Sequence, residues 1–270
     1  DPDAVERAAQ QEEEALGPID CWINNAMTTA FARVVDLDAA EIRRATDVTY
    51  HGQVHGALAA LRRMRPRDSG TIVFVGSALA FRGIPLQSAY CAAKFAGRGF
   101  YESLRTELIA EGSNVRTTIV HLPAVNTPQF GWCRAKVDTP PQPVPPIYPP
   151  EVAARAIVDA AEQTPRQKIL GTWNWLIVAL ARLLPGVGDH FMARSGVEGQ
   201  LTDRPIDPDR PDDLFAPVDD DEDHGAEGIF GDRANGVRTP AFLRSLPRTA
   251  VTFVGAVWAR WREIARGRFG

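Results

Sequence analysis

The sequence predicts an α/β protein built on a parallel sheet with helices on both faces. Short apolar runs alternate with longer segments of helical periodicity, a pattern typical of parallel strands joined by crossover helices. The runs are continuous rather than alternating in polarity, as expected for strands that are buried on both sides. The predicted strands are IDCWIN (19–24), TIVFVGS (71–77), VRTTIVHLP (115–123) and the weaker QKILG (167–171).

Helices are predicted around these strands from capping residues and apolar spacing. The chain opens with an amphipathic helix that begins at an Asp1 cap, has Pro2 in its first position and ends at Gly17. Seven prolines within 137–150 predict an extended loop. Apolar residues three and four positions apart predict further helices over roughly 38–65, 88–111 and 150–163.

The expected organisation has three parts. Residues 1–190 form the α/β domain, 191–239 an acidic, proline-rich irregular segment that is flexible or draped over it, and 240–270 an arginine-rich amphipathic helix. A net charge of −4 gives no reason to expect nucleic-acid binding. Three cysteines without a metal-binding spacing favour a reducing compartment, so we expect a cytoplasmic protein.

The most apolar stretch, ILGTWNWLIVALARLLPGVG (169–188), has three interpretations. A helix of the core or over the substrate is favoured. Peripheral contact with a membrane surface, assisted by the arginines of the C-terminal helix, is the second. A membrane span is the third and weakest, because the uninterrupted apolar run is shorter than the ~20 residues that a span needs, and Arg182 falls inside it.

The motif YCAAK (90–94) carries the most specific chemical signal. The chain has four tyrosines and only three lysines, and chance places about 0.04 Tyr-x-x-x-Lys pairs in such a chain. One helical turn separates Tyr90 from Lys94, so the two side chains share a face. A tyrosine pKa is normally about 10, and a neighbouring ammonium favours the phenolate. We therefore expect Lys94 to lower the pKa of Tyr90.

Polar or small residues follow three of the predicted strands. They are Asn24, Asn25 and Ala26 after the first, Ser77 at the end of the second, and Pro123, Val125 and Thr127 after the third. Ligands of open parallel sheets bind beyond the carboxyl ends of the strands, so we expect one cleft that also includes the Tyr90 face. In that cleft Ser77 is placed to hold a substrate oxygen while Tyr90 moves its proton and a nicotinamide gives or takes a hydride.

Together these motifs resemble the short-chain dehydrogenase/reductase family with a Tyr-x-x-x-Lys site. The resemblance rests on NNA, on GS thirteen residues before YCAAK, and on PAVNT after the next strand, and it runs from residue 1 to about 171. It implies a doubly wound, Rossmann-like fold that is incomplete here. It also implies NAD or NADP as cofactor, a small alcohol or carbonyl substrate, and a homodimer or homotetramer.

The resemblance also implies a role for each residue. Tyr90 is the general acid/base, Lys94 binds the ribose and lowers the tyrosine pKa, and Ser77 positions the substrate. The NNA turn lies near the adenosine side of the cofactor, and residues 123–127 surround the nicotinamide. Thr49 stands where the family commonly has an asparagine that holds a water in the proton relay. We expect the threonine to perform part of that role at an altered rate.

The sequence departs from the family pattern in further ways. Met27 and Ala124 replace glycines and are tolerable changes. The larger departure is that the chain lacks the T-G-x-x-x-G-x-G turn that holds the pyrophosphate. We expect a fragment of a complete enzyme that binds a dinucleotide poorly by itself. The alternative is a cofactor-poor protein that serves as a non-catalytic scaffold or dimer partner.

Other candidate sites have simpler explanations. Cys91 is expected to be a small buried thiol. His51 and His55 have the spacing of a metal pair, but no third ligand is apparent, so no metal site is predicted. The small residues of 52–60 suit close helix packing, which in the family occurs across a dimer. The acidic run 219–223 is predicted to be a solvated loop.

Overall fold

The computed structural model describes residues 1–218 and 223–234 of the 270 residues, and at Trp173 and Leu180 it describes the backbone only. The helix predicted over 240–270 and most of the acidic run 219–223 lie outside these residues. The helices are α1 (Pro2–Leu16), α2 (Ala39–Thr46), α3 (Gly52–Met64), α4 (Ser88–Ala110), α5 (Gln129–Trp132), α6 (Pro150–Gln163), α7 (Thr172–Leu183) and α8 (Pro185–Ser195). The strands are β1 (Cys21–Asn24), β2 (Ala30–Ala32), β3 (Thr71–Ser77), β4 (Arg116–Leu122), β5 (Ala124–Val125), β6 (Arg134–Lys136), β7 (Ile147–Tyr148) and β8 (Gln167–Ile169).

The four predicted strands form the main sheet. Its order is β1-β3-β4-β8 and every pairing is parallel. Asn24 lies opposite Phe74, and Ser77 lies opposite Leu122. The carboxyl ends of β1, β3 and β4 therefore meet at one edge of the sheet, which is where ligands of such sheets bind.

Helices cover both faces of this sheet, as the sequence predicts. Ile72 and Phe74 of β3 face α3 and α4, whereas Val73 points to the opposite face and packs against α6. This alternation follows from the two-residue period of a strand. All of β3 is buried, and each large apolar side chain removed from water contributes roughly 1.5–3 kcal/mol.

The predicted helix over 38–65 forms with one interruption. A π turn, Asp47–His51, joins α2 to α3. The first helix forms as predicted, because the Asp1 side chain accepts a hydrogen bond from the backbone of Asp3 and Gly17 ends the helix at a φ of 90°. This helix packs on α3, to which Glu6 forms ion pairs.

The short strands that the sequence does not predict lie outside the main sheet. β2 pairs with β6, and β5 pairs with β7, each over two or three residues. Runs this short carry no detectable period. The apolar stretch 169–188 divides into α7 and the start of α8, and Val178 of α7 is buried beside Ala80 and Phe81. Within the described residues, every helix is too short or too polar to cross a membrane.

The acidic, proline-rich segment is draped over the carboxyl edge of the sheet. Leu214 is fully buried there. Asp212 forms an ion pair with Arg134 at 2.6 Å, and the backbone N–H of Phe230 donates to Asn126 Oδ1 at 2.9 Å. The sequence leaves open whether this segment is flexible or draped over the domain, and the described part of it is packed on the domain.

Candidate active site

Ser77 and Tyr90 meet at the carboxyl end of β3. Ser77 is the last residue of the strand, and its hydroxyl accepts a hydrogen bond from the Leu79 backbone at 3.1 Å, which starts a short 3-10 turn. Tyr90 lies in the first turn of α4 and is partly buried. The Ser77 side chain lies within reach of the Tyr90 hydroxyl and lowers its pKa. The structure thus brings together the serine and the tyrosine that the sequence predicts.

Lys94 lies one turn further along α4, on the same face as Tyr90. Its ammonium is 5.6 Å from the centroid of the Tyr90 ring. The side chain is only 3% exposed, and Nζ donates to the carbonyl oxygen of Val75 at 2.8 Å. Burial lowers the pKa of Lys94 to about 8. The lysine is therefore close to the tyrosine, but its ammonium is bound to the backbone of β3.

The expected effect of Lys94 on Tyr90 is not what the structure gives. Burial raises the pKa of Tyr90 above its usual range, and the hydrogen bond with Ser77 offsets this only in part. Removing a phenolate from water is costly, and an ammonium aimed at a carbonyl does not compensate. At neutral pH Tyr90 is a protonated phenol.

The NNA turn divides into one buried residue and two exposed ones. Asn24 is buried, and its Oδ1 accepts from Trp22 Nε1 at 3.0 Å, whereas its Nδ2 is buried and has no partner in the described part of the chain. Asn25 and Ala26 are exposed. A buried amide donor without a partner costs free energy, so Asn24 is suited to an acceptor atom of a bound ligand.

The segment after β4 is covered by the acidic segment. Pro123 and Thr127 are partly buried, and Val125 is buried in β5. Between them, the backbone carbonyl of Asn126 accepts from Gly228 at 3.1 Å, and its side chain holds Phe230. The sequence has no signal for this contact, because 223–234 lacks apolar periodicity.

Thr49 is fully buried within the π turn. Its hydroxyl donates to the carbonyl of Thr28 at 2.9 Å and accepts from the N–H of the same residue at 3.0 Å. This pair of bonds fixes the loop that follows β1. Its part in a proton relay stays a prediction.

His121 is a residue beside the site that sequence reasoning missed. It is fully buried in β4, and Nδ1 lies 3.2 Å from the carbonyl oxygen of Ser77. Burial lowers its pKa to about 4, so the ring is neutral at pH 7. Gly76 makes room for the ring, since a Cβ there would lie 2.7 Å from His121 Nδ1. Its position within an apolar run of strand residues hides it from motif searches.

The remaining candidates have structural explanations. His51 Nδ1 lies 2.8 Å from Asp47, and among the described residues no group of three His, Cys, Asp or Glu could hold a metal ion. Cys91 is buried, and burial raises the pKa of its thiol. The small residues of 52–60 mostly face the interior: Gly56 packs against Trp22 and Asn24. These residues therefore contribute to packing within the chain, and the pairing of this helix across a dimer stays a prediction.

Gly56→Ala is expected to destabilise the protein by about 1–3 kcal/mol, since added atoms in a packed interior force neighbours to shift. The new Cβ would overlap Asn24 Oδ1 and lie 2.6 Å from Trp22 Nε1. Gly52→Ala, one turn earlier on α3, is the matched control, because its nearest neighbour would be 3.7 Å away. Urea unfolding measures both, and equal stability of the two variants would contradict the proposed close approach.

Comparison with known proteins agrees with this fold and these motifs. The family model described as short chain dehydrogenase matches residues 1–137. The protein named Uncharacterized oxidoreductase YxnA, from Bacillus subtilis (strain 168), is 31% identical over 257 residues, which cover 94% of this chain and 72% of that protein. The chain therefore belongs to the short-chain dehydrogenase family.

Two further comparisons give the fraction of each protein's length that the match covers. Epidermal retinol dehydrogenase 2 of Mus musculus is 31% identical over 182 residues, covering 67% of this chain and 58% of that protein. The crystal structure of a short-chain dehydrogenase from Streptomyces avermitilis is 26% identical with a TM-score of 0.58, and the match covers 73% of this chain and 77% of that one. The chain thus spans about three fifths of the retinol dehydrogenase.

Proposed function

We propose that this chain carries the catalytic part of an NAD(P)-dependent oxidoreductase that interconverts an alcohol and a ketone or aldehyde. The observation that carries the proposal is the proximity of Ser77 and Tyr90 at the carboxyl end of β3, with Lys94 one helical turn away. Two neighbouring hydroxyl groups at the mouth of a parallel sheet are suited to holding one substrate oxygen and moving its proton.

The cofactor fits the residues at this edge of the sheet. The unpartnered Nδ2 of Asn24 and the ammonium of Lys94 are buried donors, and the hydroxyl groups of a ribose are matching acceptors. The segment 123–127 would line the nicotinamide end. When bound, a nicotinamide supplies or accepts the hydride.

The protonation state of Tyr90 favours reduction of a carbonyl at neutral pH. The raised pKa keeps the phenol protonated, so Tyr90 can donate its proton to the substrate oxygen as the carbonyl becomes an alcohol. Ser77 donates a hydrogen bond to the same oxygen and keeps it in line with the phenol. The tyrosine is then reprotonated from solvent. The reverse reaction needs the phenolate and is expected to require higher pH.

A cavity that shares Thr127 with the candidate cofactor-binding residues supports a hydrophobic substrate. This cavity of about 680 Å³ lies between the loop around α5 and the acidic segment. Its wall includes Phe130, Trp132 and Phe230. These aromatic side chains can contact an apolar ligand, and the same wall carries the polar side chains of His224 and Glu227. The name of the retinol dehydrogenase relative points to an apolar alcohol as well.

The experiment is an activity screen of the full-length protein. Apolar ketones, aldehydes and alcohols are offered with NADH, NADPH and their oxidised forms, and absorbance of the reduced nicotinamide is followed. We expect turnover of an apolar carbonyl with one of the two cofactors. A protein that binds neither cofactor and turns over no substrate would instead support the non-catalytic scaffold.

Association with a membrane surface and with other copies of the chain are further proposals. On α7, Trp175 is 61% exposed and Leu183, the last residue of the helix, is 75% exposed, as expected for peripheral contact. The protein should therefore float with anionic liposomes, and Trp175→Ser should reduce the floated fraction. A protein that stays entirely in the soluble fraction would refute membrane contact.

We also propose a cytoplasmic location, which the free cysteines support. The expected homodimer or homotetramer is tested by sedimentation of the protein in solution.

A further inference from the structure

Two buried side chains share the carbonyl oxygen of Val75. Lys94 Nζ donates to it at 2.8 Å, and Gln53 Nε2 donates to it at 3.3 Å. Both residues are at most 4% exposed. Strand β1 ends opposite Phe74, one residue before Val75. Val75 therefore has no residue of β1 opposite it, and Lys94 and Gln53 donate to its carbonyl oxygen.

Gln53 is held in place by its fit against α4. A Cβ at Gly97, three residues after Lys94, would lie 2.7 Å from Gln53 Oε1. The interior positions of α3 that follow, such as Ala57 and Ala60, are small and apolar. A buried glutamine in this environment is costly unless its amide is bonded. An apolar side chain of the same size could fill this space but could not form the hydrogen bond to Val75.

We propose that Gln53 is a positioning residue for Lys94, because it bonds the Val75 carbonyl and so frees the ammonium to turn toward a bound cofactor or toward Tyr90. A buried carbonyl that loses its partner costs free energy. With Gln53 present, the carbonyl keeps one donor when Lys94 leaves. This inference rests on the role of Lys94 in the proposed function.

Lys94 can be titrated directly, because the chain has only two other lysines, Lys136 and Lys168. The Tyr90 ring lies 5.6 Å from the Lys94 ammonium, and His121 of β4 interacts electrostatically with Lys94, with Arg98 of α4 and with Arg182 of α7. Tyr90 and His121 are neutral near pH 8, since burial raises the pKa of the first and lowers that of the second to about 4. A titration near pH 8 therefore reports on Lys94 itself.

The test is an NMR titration of the chain labelled with carbon-13 at the lysine ε position. In Gln53→Met the Val75 carbonyl loses its hydrogen bond from Gln53 and keeps the one from Lys94. Because that bond stabilises the charged form of Lys94, the pKa of Lys94 should rise by about half a pH unit. Gln53→Asn retains an amide that is too short to reach Val75 and should give the same shift, so it replaces the methionine variant if that variant does not fold. An unchanged or lowered pKa in the folded variant would overturn the inference.

Gln200→Met is the matched control. Gln200 is also buried and donates through Nε2 to a backbone carbonyl, that of Pro85, at 2.9 Å. Its replacement should lower stability and leave the titration of Lys94 unchanged; a shift as large as that in Gln53→Met would show a general loss of packing. Since the titration needs no turnover, a shifted Lys94 in a protein without activity would reject the proposed function alone. Activity with an unshifted Lys94 would reject the role of Gln53 alone.

Discussion

Tyr90→Phe in the full-length protein is expected to lower the rate of hydride transfer by about three orders of magnitude, as is typical for loss of a general acid, and to leave cofactor affinity within about twofold. The phenylalanine has the same ring and removes only the hydroxyl that lies beside Ser77. In this variant the substrate oxygen keeps the hydrogen bond proposed from Ser77 but receives no proton. Single-turnover kinetics measures the rate, and fluorescence titration measures cofactor binding.

Tyr101→Phe is the matched control for this variant. Tyr101 lies on the same helix, and its hydroxyl donates to the carbonyl of Arg166, away from Ser77. Loss of that single hydrogen bond is expected to cost about 1 kcal/mol of stability and to leave turnover unchanged at a temperature where both variants are folded. Turnover of Tyr90→Phe equal to that of the control would remove Tyr90 from the mechanism.

Glu41→Gln is expected to lower the free energy of unfolding at pH 7 by about 3 kcal/mol, as for loss of one partner of a buried ion pair. The carboxylate is fully buried and accepts from Arg134 at 3.0 Å and from Lys136 at 2.8 Å. Arg134 also binds Asp212 of the acidic segment at 2.6 Å. The amide keeps the size of the side chain, but it loses the charge that holds both cations.

The pKa of Glu41 in the wild type determines how the stability difference between wild type and Glu41→Gln depends on pH. Burial raises that pKa, but the hydrogen bonds from Lys136, the Asp38 backbone and Arg134 together lower it below 4.5. A carboxyl with a lowered pKa stabilises the fold above its unfolded pKa, and this stability is lost as pH falls through the folded value. The stability difference between wild type and Glu41→Gln should therefore be constant near pH 7 and should shrink below about pH 4.

Denaturant unfolding at several pH values tests this expectation. Glu111→Gln is the control, because Glu111 forms a comparably short ion pair with Arg65, at 2.6 Å, in which both side chains are largely exposed. Exposed pairs contribute between about 0 and 1 kcal/mol, so this variant should unfold nearly as wild type does. A pH-independent loss in Glu41→Gln would show that packing, and not charge, explains the effect.

The main sheet was predictable because its signals are local. Each of the four strands coincides with a short run that contains apolar residues, the weakest being β8, and Tyr90 and Lys94 share a face because of helix geometry alone. The family resemblance rests on the same motifs, and the family model and the relatives confirm it. The catalytic and binding roles given to individual residues stay predictions.

What sequence reasoning missed depends on contacts between distant segments. The sequence predicts a lowered pKa for Tyr90, and the direction is wrong because the burial of a phenol cannot be read from a five-residue motif. Gln53 and His121 are adjacent to Lys94 and Ser77 only after folding.

The most direct measurement of the central claim is transfer of deuterium. The full-length protein is given NADH or NADPH that carries deuterium at both hydrogens of nicotinamide C4, together with apolar ketones and aldehydes, and the alcohols are analysed by mass spectrometry. If Ser77, Tyr90 and Lys94 form a hydride-transfer site, deuterium appears on the carbon that bears the new hydroxyl, and Tyr90→Phe abolishes this labelling. Product alcohol without deuterium, or labelling that persists in Tyr90→Phe, would contradict it.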